Sequence, residues 1–264
     1  VLNIFRNIIK VDIAPNQYTQ TKMKFTRDVY AQPQVVLTIQ SPNEKDFAAF
    51  VQKNAQSIID FLVKMEMNRQ INELEKKHSE VVLYLADSIF SCQFWAPVEI
   101  KSYKKGKDFF WASTNTATGD QNFVIYSYPY TDKNTFTKEY FIHKRDSVMK
   151  ANIPGAKEGM YMSTDSITVD VRPIDIHGDY TMEARGLWRM KGDFMGGPFV
   201  SHTRLDKANQ RIITAEIFVY SPDKLKRNLV RMLEASLYTL KLPAEKVQGE
   251  IPMGNVAREE QTNK

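Results

Sequence analysis

Ser201, His202, Thr203 and Arg204 follow one another in the stretch MKGDFMGGPFVSHTRLD at 190–206, so a nucleophile, a base and a cation stand in one run. Successive side chains of a strand point to opposite faces. Ser201 and His202 therefore cannot act on each other as nucleophile and base, and no G-x-S-x-G elbow supports a hydrolase. The paired Gly196-Gly197 is not followed by Lys-Ser or Lys-Thr, which removes the phosphate-loop reading. The pair is read instead as a connection needing positive φ, between a strand ending near Met190 and one starting near Pro198. His78, His143, His177 and His202 show no paired-ligand spacing, and Cys92 is the sole cysteine, so neither metal nor cofactor is expected. His78 and His143 are assigned to solvated surface.

Three neighbouring strands carry the remaining chemistry. Alternation in 181–190 places Glu183, Arg185, Leu187 and Arg189 on one face, opposite Met182, Ala184, Gly186 and Trp188. In 211–220 the apolar face is Ile213, Ala215, Ile217 and Val219. If these strands flank 198–205 in a meander, Glu183, Arg185, His202, Arg204 and Glu216 share the side away from the core, with Phe199 and Leu205 turned toward the helices. Two readings follow. One is a solvated face of cross-strand ion pairs, each contributing about 0.2–1 kcal/mol. The other is a polar groove whose arginines bind an anionic or sugar-like ligand. A second cluster, Tyr126, Tyr128 and Tyr130, alternates onto one side of its strand, as sheet core or as an aromatic binding surface.

The elements that must position these residues recur as strand–strand–helix. The segments PQVVLTIQ (33–40), NFVIYSYPY (122–130) and RIITAEIFVY (211–220) each run into a capped helix, starting near Ser41, Thr131 and Ser221. Behind the last start, Leu225, Leu229, Met232, Leu233, Leu237 and Leu240 form an apolar stripe. Each strand has a partner upstream, at 6–13, 107–114 and 181–190, and residues 68–90 read as further helix. Short loops favour antiparallel pairing, so the fold class is α+β: a mainly antiparallel sheet with helices on one face. The expected organisation is a single domain over 1–243, with two similar halves meeting near 92–107 as the alternative. A polar, flexible tail follows over 244–264.

Composition agrees with a globular chain: 264 residues, 42% hydrophobic and 25% charged, with a net charge of +5. The basic run Lys101-Ser102-Tyr103-Lys104-Lys105-Gly106-Lys107 is read as a solvated loop, and nucleic acid is not an expected partner. No apolar run has the length of a membrane span.

Several stretches carry a family resemblance, among them KFTRDVYAQPQVVLTIQSP, VIYSYPYTD, KRDSVMKANIPG, RGLWRMKGDFMGGPFVSHTRLD and LEASLYTLKLP. Through Pro243 the chain resembles domain-of-unknown-function family 4837, lipoproteins of Bacteroidetes. The resemblance implies an exported precursor held by a lipid anchor outside this chain, and a place in the cell envelope facing periplasm or cell surface. It supplies no catalytic or binding residue. The functional expectation is a non-enzymatic domain that binds an envelope protein or a small anionic or sugar ligand. The alternative is a hydrolase-type enzyme with its site around His202 and Arg204.

Overall fold

The computed structural model describes residues 1–117, 119–222 and 224–247, and its contacts divide into two compact units, Val1–Arg69 and the chain from Gln70 onward. The division lies at 69/70, whereas the sequence reading ran one domain to 243 with any halves meeting near 92–107.

The first unit is a three-stranded sheet and a helix. Strand β1 (Asn7–Ile13) pairs in parallel with β3 (Val35–Ser41), and β2 (Lys22–Arg27) pairs antiparallel on its other side, giving the order β1-β3-β2. The pairing of 6–13 with 33–40 is as the sequence suggests, but parallel, and β2 was not anticipated. Helix α1 (Glu44–Lys76) begins three residues beyond Ser41. Asn43 is its cap, accepting from Asp46 N at 2.8 Å, while Ser41 closes β3 and donates to Asn43 O. Phe47, Phe50, Val51, Ile58 and Phe61 of α1 pack on Leu37 and Ile39 of the sheet.

The second unit is built on a seven-stranded, wholly antiparallel sheet. Its strands are β4 (Ser102–Gly106), β5 (Phe109–Ser113), β6 (Asp120–Pro129), β7 (Tyr161–Ile176), β8 (Asp179–Lys191), β9 (Gly196–Asp206) and β10 (Arg211–Tyr220), in the order β4-β5-β6-β10-β9-β8-β7. The α+β class and the antiparallel sheet hold. The helices, however, lie on both faces. Val82 and Leu85 of α2 (Glu80–Phe90) and Leu233 and Leu237 of α4 (Arg227–Leu237) pack on Phe123, Ile125, Val200, Ile213, Ala215 and Ile217. Phe141 and Met149 of α3 (Lys138–Asn152) pack on the alternate positions, Val124, Tyr126, Ala184, Phe199, Ile212 and Phe218. Both faces of the central strands are therefore core, and β10 reads as a near-continuous buried run.

Local chemistry fixes the boundaries. Ser79 caps α2, and Ser91 closes it with φ 56°, in the left-handed region. Asp132 caps a short 3₁₀ turn, Lys133–Phe136, and Thr137 then caps α3, so the helix expected near Thr131 starts at 138. Helix α4 starts at Arg227 without a side-chain cap; Ser221 and Pro222 do not start it, and Asp223 lies outside the described residues. Leu225 consequently falls before the helix and is exposed, while Leu233, Leu237 and Leu240 are buried as the stripe predicts. The chain is ordered past 243: α5 (Pro243–Val247) follows, and the remainder of the expected tail, 248–264, lies outside the described residues.

The basic run at 101–107 is largely the edge strand β4 and not a loop. An exposed, lysine-bearing edge discourages pairing with further strands. Gly196 and Gly197 are strand residues, and positive φ is found instead at Gly192 in the preceding turn. Their glycine character answers to close packing: a Cβ on Gly197 would stand 2.0 Å from Val219 O and 3.1 Å from Trp188 Nε1. That gap admits the indole N–H, which donates to the Val219 carbonyl at 3.2 Å.

Candidate functional site

Register decides which of the predicted residues meet. Glu183 pairs with His202, and His202 with Ala215, so Glu183 and His202 stand side by side on the α2/α4 face. Thr181 pairs with Arg204 on that same face. Glu216 pairs with Ser201 and takes the opposite face, beneath α3. The expectation of one shared face thus holds for Glu183, Arg185, His202 and Arg204 and fails for Glu216. Nor is that face open: His202 and Glu183 are fully buried and Arg204 nearly so.

Glu183 is the centre of an ion-pair network between β7, β8 and α4. Its Oε1 accepts from Arg172 Nε at 2.6 Å and from Arg185 Nε at 2.7 Å, and its Oε2 from Arg185 Nη2 at 2.9 Å. Arg185 also grips Glu234 of α4, with Nη1 to Oε2 at 3.1 Å and a shorter Nη2 to Oε1 contact. Burial opposes the Glu183 charge, but the His202 ring, Arg185 and Arg172 outweigh it and hold the carboxyl well below the ordinary range. His202 Nε2 stands 3.5 Å from Glu183 Oε2, and neither ring nitrogen makes a hydrogen bond. Tyr238 meets the imidazole edge-on at 4.9 Å, and burial pushes its phenol up to about 12.

Arg204 turns to α5. It donates from Nη1 to Leu240 O at 3.0 Å and to Glu245 Oε2 at 3.2 Å, and a shorter Nη2 to Oε1 contact completes the fork. On the α3 face, Arg145 forms the matching fork with Glu216, at 2.9 and 2.7 Å, with both side chains fully buried. Its Nη1 donates to Thr164 Oγ1 at 2.9 Å, and its guanidinium lies 4.2 Å above the Phe199 ring. Burial works against the Arg145 charge, and Glu216 more than offsets it, raising the pKa.

The aromatic cluster is mostly core. Tyr126 and Tyr128 are buried beneath α3, and only Tyr130 is partly exposed, so the three offer no aromatic surface. Of the histidines, His143 is exposed as expected, while His78 is half-buried and stacked on Trp95 at 5.5 Å. A shallow groove between α3 and β7, lined by Glu139, Ile142, His143, Asp146, Lys150 and Tyr161, contains none of the predicted residues. Sequence reasoning missed Arg145, Arg172, Glu234 and Glu245. Two signals could have found part of the set. Arg145 sits midway between Phe141 and Met149 at four-residue spacing, and Glu234 interrupts the apolar stripe of α4. A charge inside a buried stripe calls for a buried partner.

Among the described residues no group of three or more His, Cys, Asp or Glu side chains is placed to hold a metal ion. No helix among them is long and apolar enough to cross a membrane. Fold and site together define an α+β protein with an antiparallel sheet buried on both faces and crossed by internal ion pairs. Residues 81–239, more than half of the chain, match the family described as Domain of unknown function (DUF4837), and the chain belongs to that family. Residues 1–75 match a second family, Domain of unknown function (DUF8532). No curated protein matches the chain.

Proposed function

We propose that the protein works by binding and not by catalysis, and that its seven-stranded unit presents Arg172 to an anionic ligand such as an acidic sugar. One observation carries this reading. Arg172 is anchored through Nε to the buried Glu183, its side chain is 56% exposed, and its terminal nitrogens bond no partner among the described residues. A guanidinium held in place with its outer edge free loses little entropy on meeting a carboxylate, sulfate or phosphate. The other arginines of the cluster are committed: Arg185 to Glu183 and Glu234, Arg204 to Glu245, and Arg145 to Glu216. The place of action we propose is the cell envelope, on the strength of the resemblance to Bacteroidetes lipoproteins.

The hydrolase reading stays second. Its one supporting observation is the pair of unbonded ring nitrogens on His202 beside Glu183. Against it, Tyr238 covers the ring and Ser201 faces the other layer.

A thermal-shift comparison of uronate, sulfated, phosphorylated and neutral sugars tests the binding reading. Anionic probes should raise the melting temperature, and Arg172→Ala should lose that shift while its ligand-free melting point moves by only a few degrees, roughly. No shift with any probe, or a shift that survives Arg172→Ala, would refute it. Turnover of chromogenic esters or glycosides that disappears in His202→Ala would favour the hydrolase.

A further inference from the structure

We infer that the free edge of β1 is a self-complementary interface through which two copies of the chain pair antiparallel, centred on Val11. The inference concerns the first unit and is independent of the Arg172 reading. Strand β1 is the edge of its sheet. Arg6 O accepts from Val35 N, and Ala14 N donates to Ser41 O, so the even-numbered residues of this stretch turn their backbone groups toward β3. In a parallel ladder the alternate residues then point theirs outward. Ile9, Val11 and Ile13 therefore carry the outward N–H and C=O groups, with none of them bonded among the described residues.

Those same residues bear an uncovered apolar strip. Ile9, Val11 and Ile13 are 50%, 45% and 39% exposed, on the face where α1 covers Leu37 and Ile39 of β3 and Phe25 of β2. An apolar edge of this kind is normally blunted or paired.

Charge selects the occupant and the register. With Val11 opposite the second copy's Val11, Ile9 faces the second copy's Ile13, and the outward groups of these residues meet in hydrogen-bonded pairs. Lys10 then stands opposite the second copy's Asp12, and Asp12 opposite its Lys10, in the closer non-hydrogen-bonded positions. Lys10 has no ion-pair partner among the described residues. Asp12 accepts from Tyr18 through Oδ2 at 2.7 Å, which leaves Oδ1 open. Centring the pair on Lys10 would instead oppose two lysines and set inward-bonded residues at the dyad. A two-fold interface must satisfy itself in this way, each residue meeting the partner that meets it. The resulting six-stranded sheet would carry its apolar side chains between two copies of α1.

Sedimentation velocity of the intact chain tests the inference. The contact is small, so a dimer that dissociates on dilution is expected below roughly 0.5 mM. Lys10→Glu, which sets acid against Asp12 twice, should leave a monomer. Val11→Pro should do the same, since it removes only an outward N–H and spares the ladder to β3. Both should keep the wild-type circular dichroism spectrum. An equimolar mixture of the Lys10→Glu chain with an Asp12→Lys chain should recover a heterodimer, because each now presents the charge the other lacks. A wild-type monomer at every concentration would overturn the inference. So would a dimer indifferent to Lys10→Glu and Val11→Pro, or failure of the mixed chains to pair.

Discussion

At the scale of single residues, Glu183 shows how a buried charge is tolerated. It is met by Arg172 of β7, Arg185 of its own strand and His202 of β9, and Glu234 and Tyr238 at α4 adjoin this cluster through Arg185 and His202. Its folded pKa lies below the ordinary carboxylate value of 4.5. On acidification the unfolded chain takes up its proton near 4.5 and the folded chain only further down, so stability present above 4.5 is lost progressively below it. Urea unfolding midpoints should therefore fall below that pH. Glu183→Gln should be less stable than wild type at neutral pH, with the gap closing on acidification; a constant gap would assign the loss to other carboxylates.

At the scale of elements, the helices are tied to the sheet by forks as well as by apolar contact. Arg145 joins α3 to Glu216 of β10, Arg185 of β8 joins Glu234 of α4, and Arg204 of β9 joins Glu245 of α5. Removing one partner of a buried pair strands the other, at a cost of about 3–5 kcal/mol, whereas replacing both by apolar groups of like volume is far milder. Arg145→Met should therefore lower unfolding stability by roughly that amount, and adding Glu216→Leu should recover most of the loss. Chemical denaturation of both variants checks this, and a double variant as damaged as the single one would show the pair is needed for more than mutual charge compensation. Strands β6, β8, β9 and β10 were legible from alternation and α4 from the spacing of its apolar residues, whereas β5 was placed only as an upstream partner and α3 only by its cap. Strand β7 was missed although Pro173 within it is the mark of an edge strand, because its exposed half alternates weakly.

At the scale of the molecule, the two family matches, 1–75 and 81–239, meet at the break between α1 and α2, a little beyond the contact division at 69/70. The proposed envelope address belongs to this scale. Metabolic lipid labelling and fractionation of the native host should find the protein acylated and in the membrane fraction. Recovery from the cytosol without lipid would remove the address while leaving the family assignment intact.

The amino-acid sequence by itself determined the α+β class, the antiparallel pairing around 198–205, and the opposition of Ser201 to His202, because these follow from local period and turn length. It also placed Glu183, Arg185, His202 and Arg204 together, since they share one alternation. It could not place Glu216. With helices on both faces, polar and apolar residues no longer distinguish inside from outside, and the parity of β10 against β9 is settled by packing alone. The partners of the buried charges lie far along the chain, 71 residues apart for Arg145 and Glu216, 49 for Arg185 and Glu234, and 41 for Arg204 and Glu245. No local pattern encodes such distances; only the closed tertiary structure brings each charge to the one group that makes its burial tolerable.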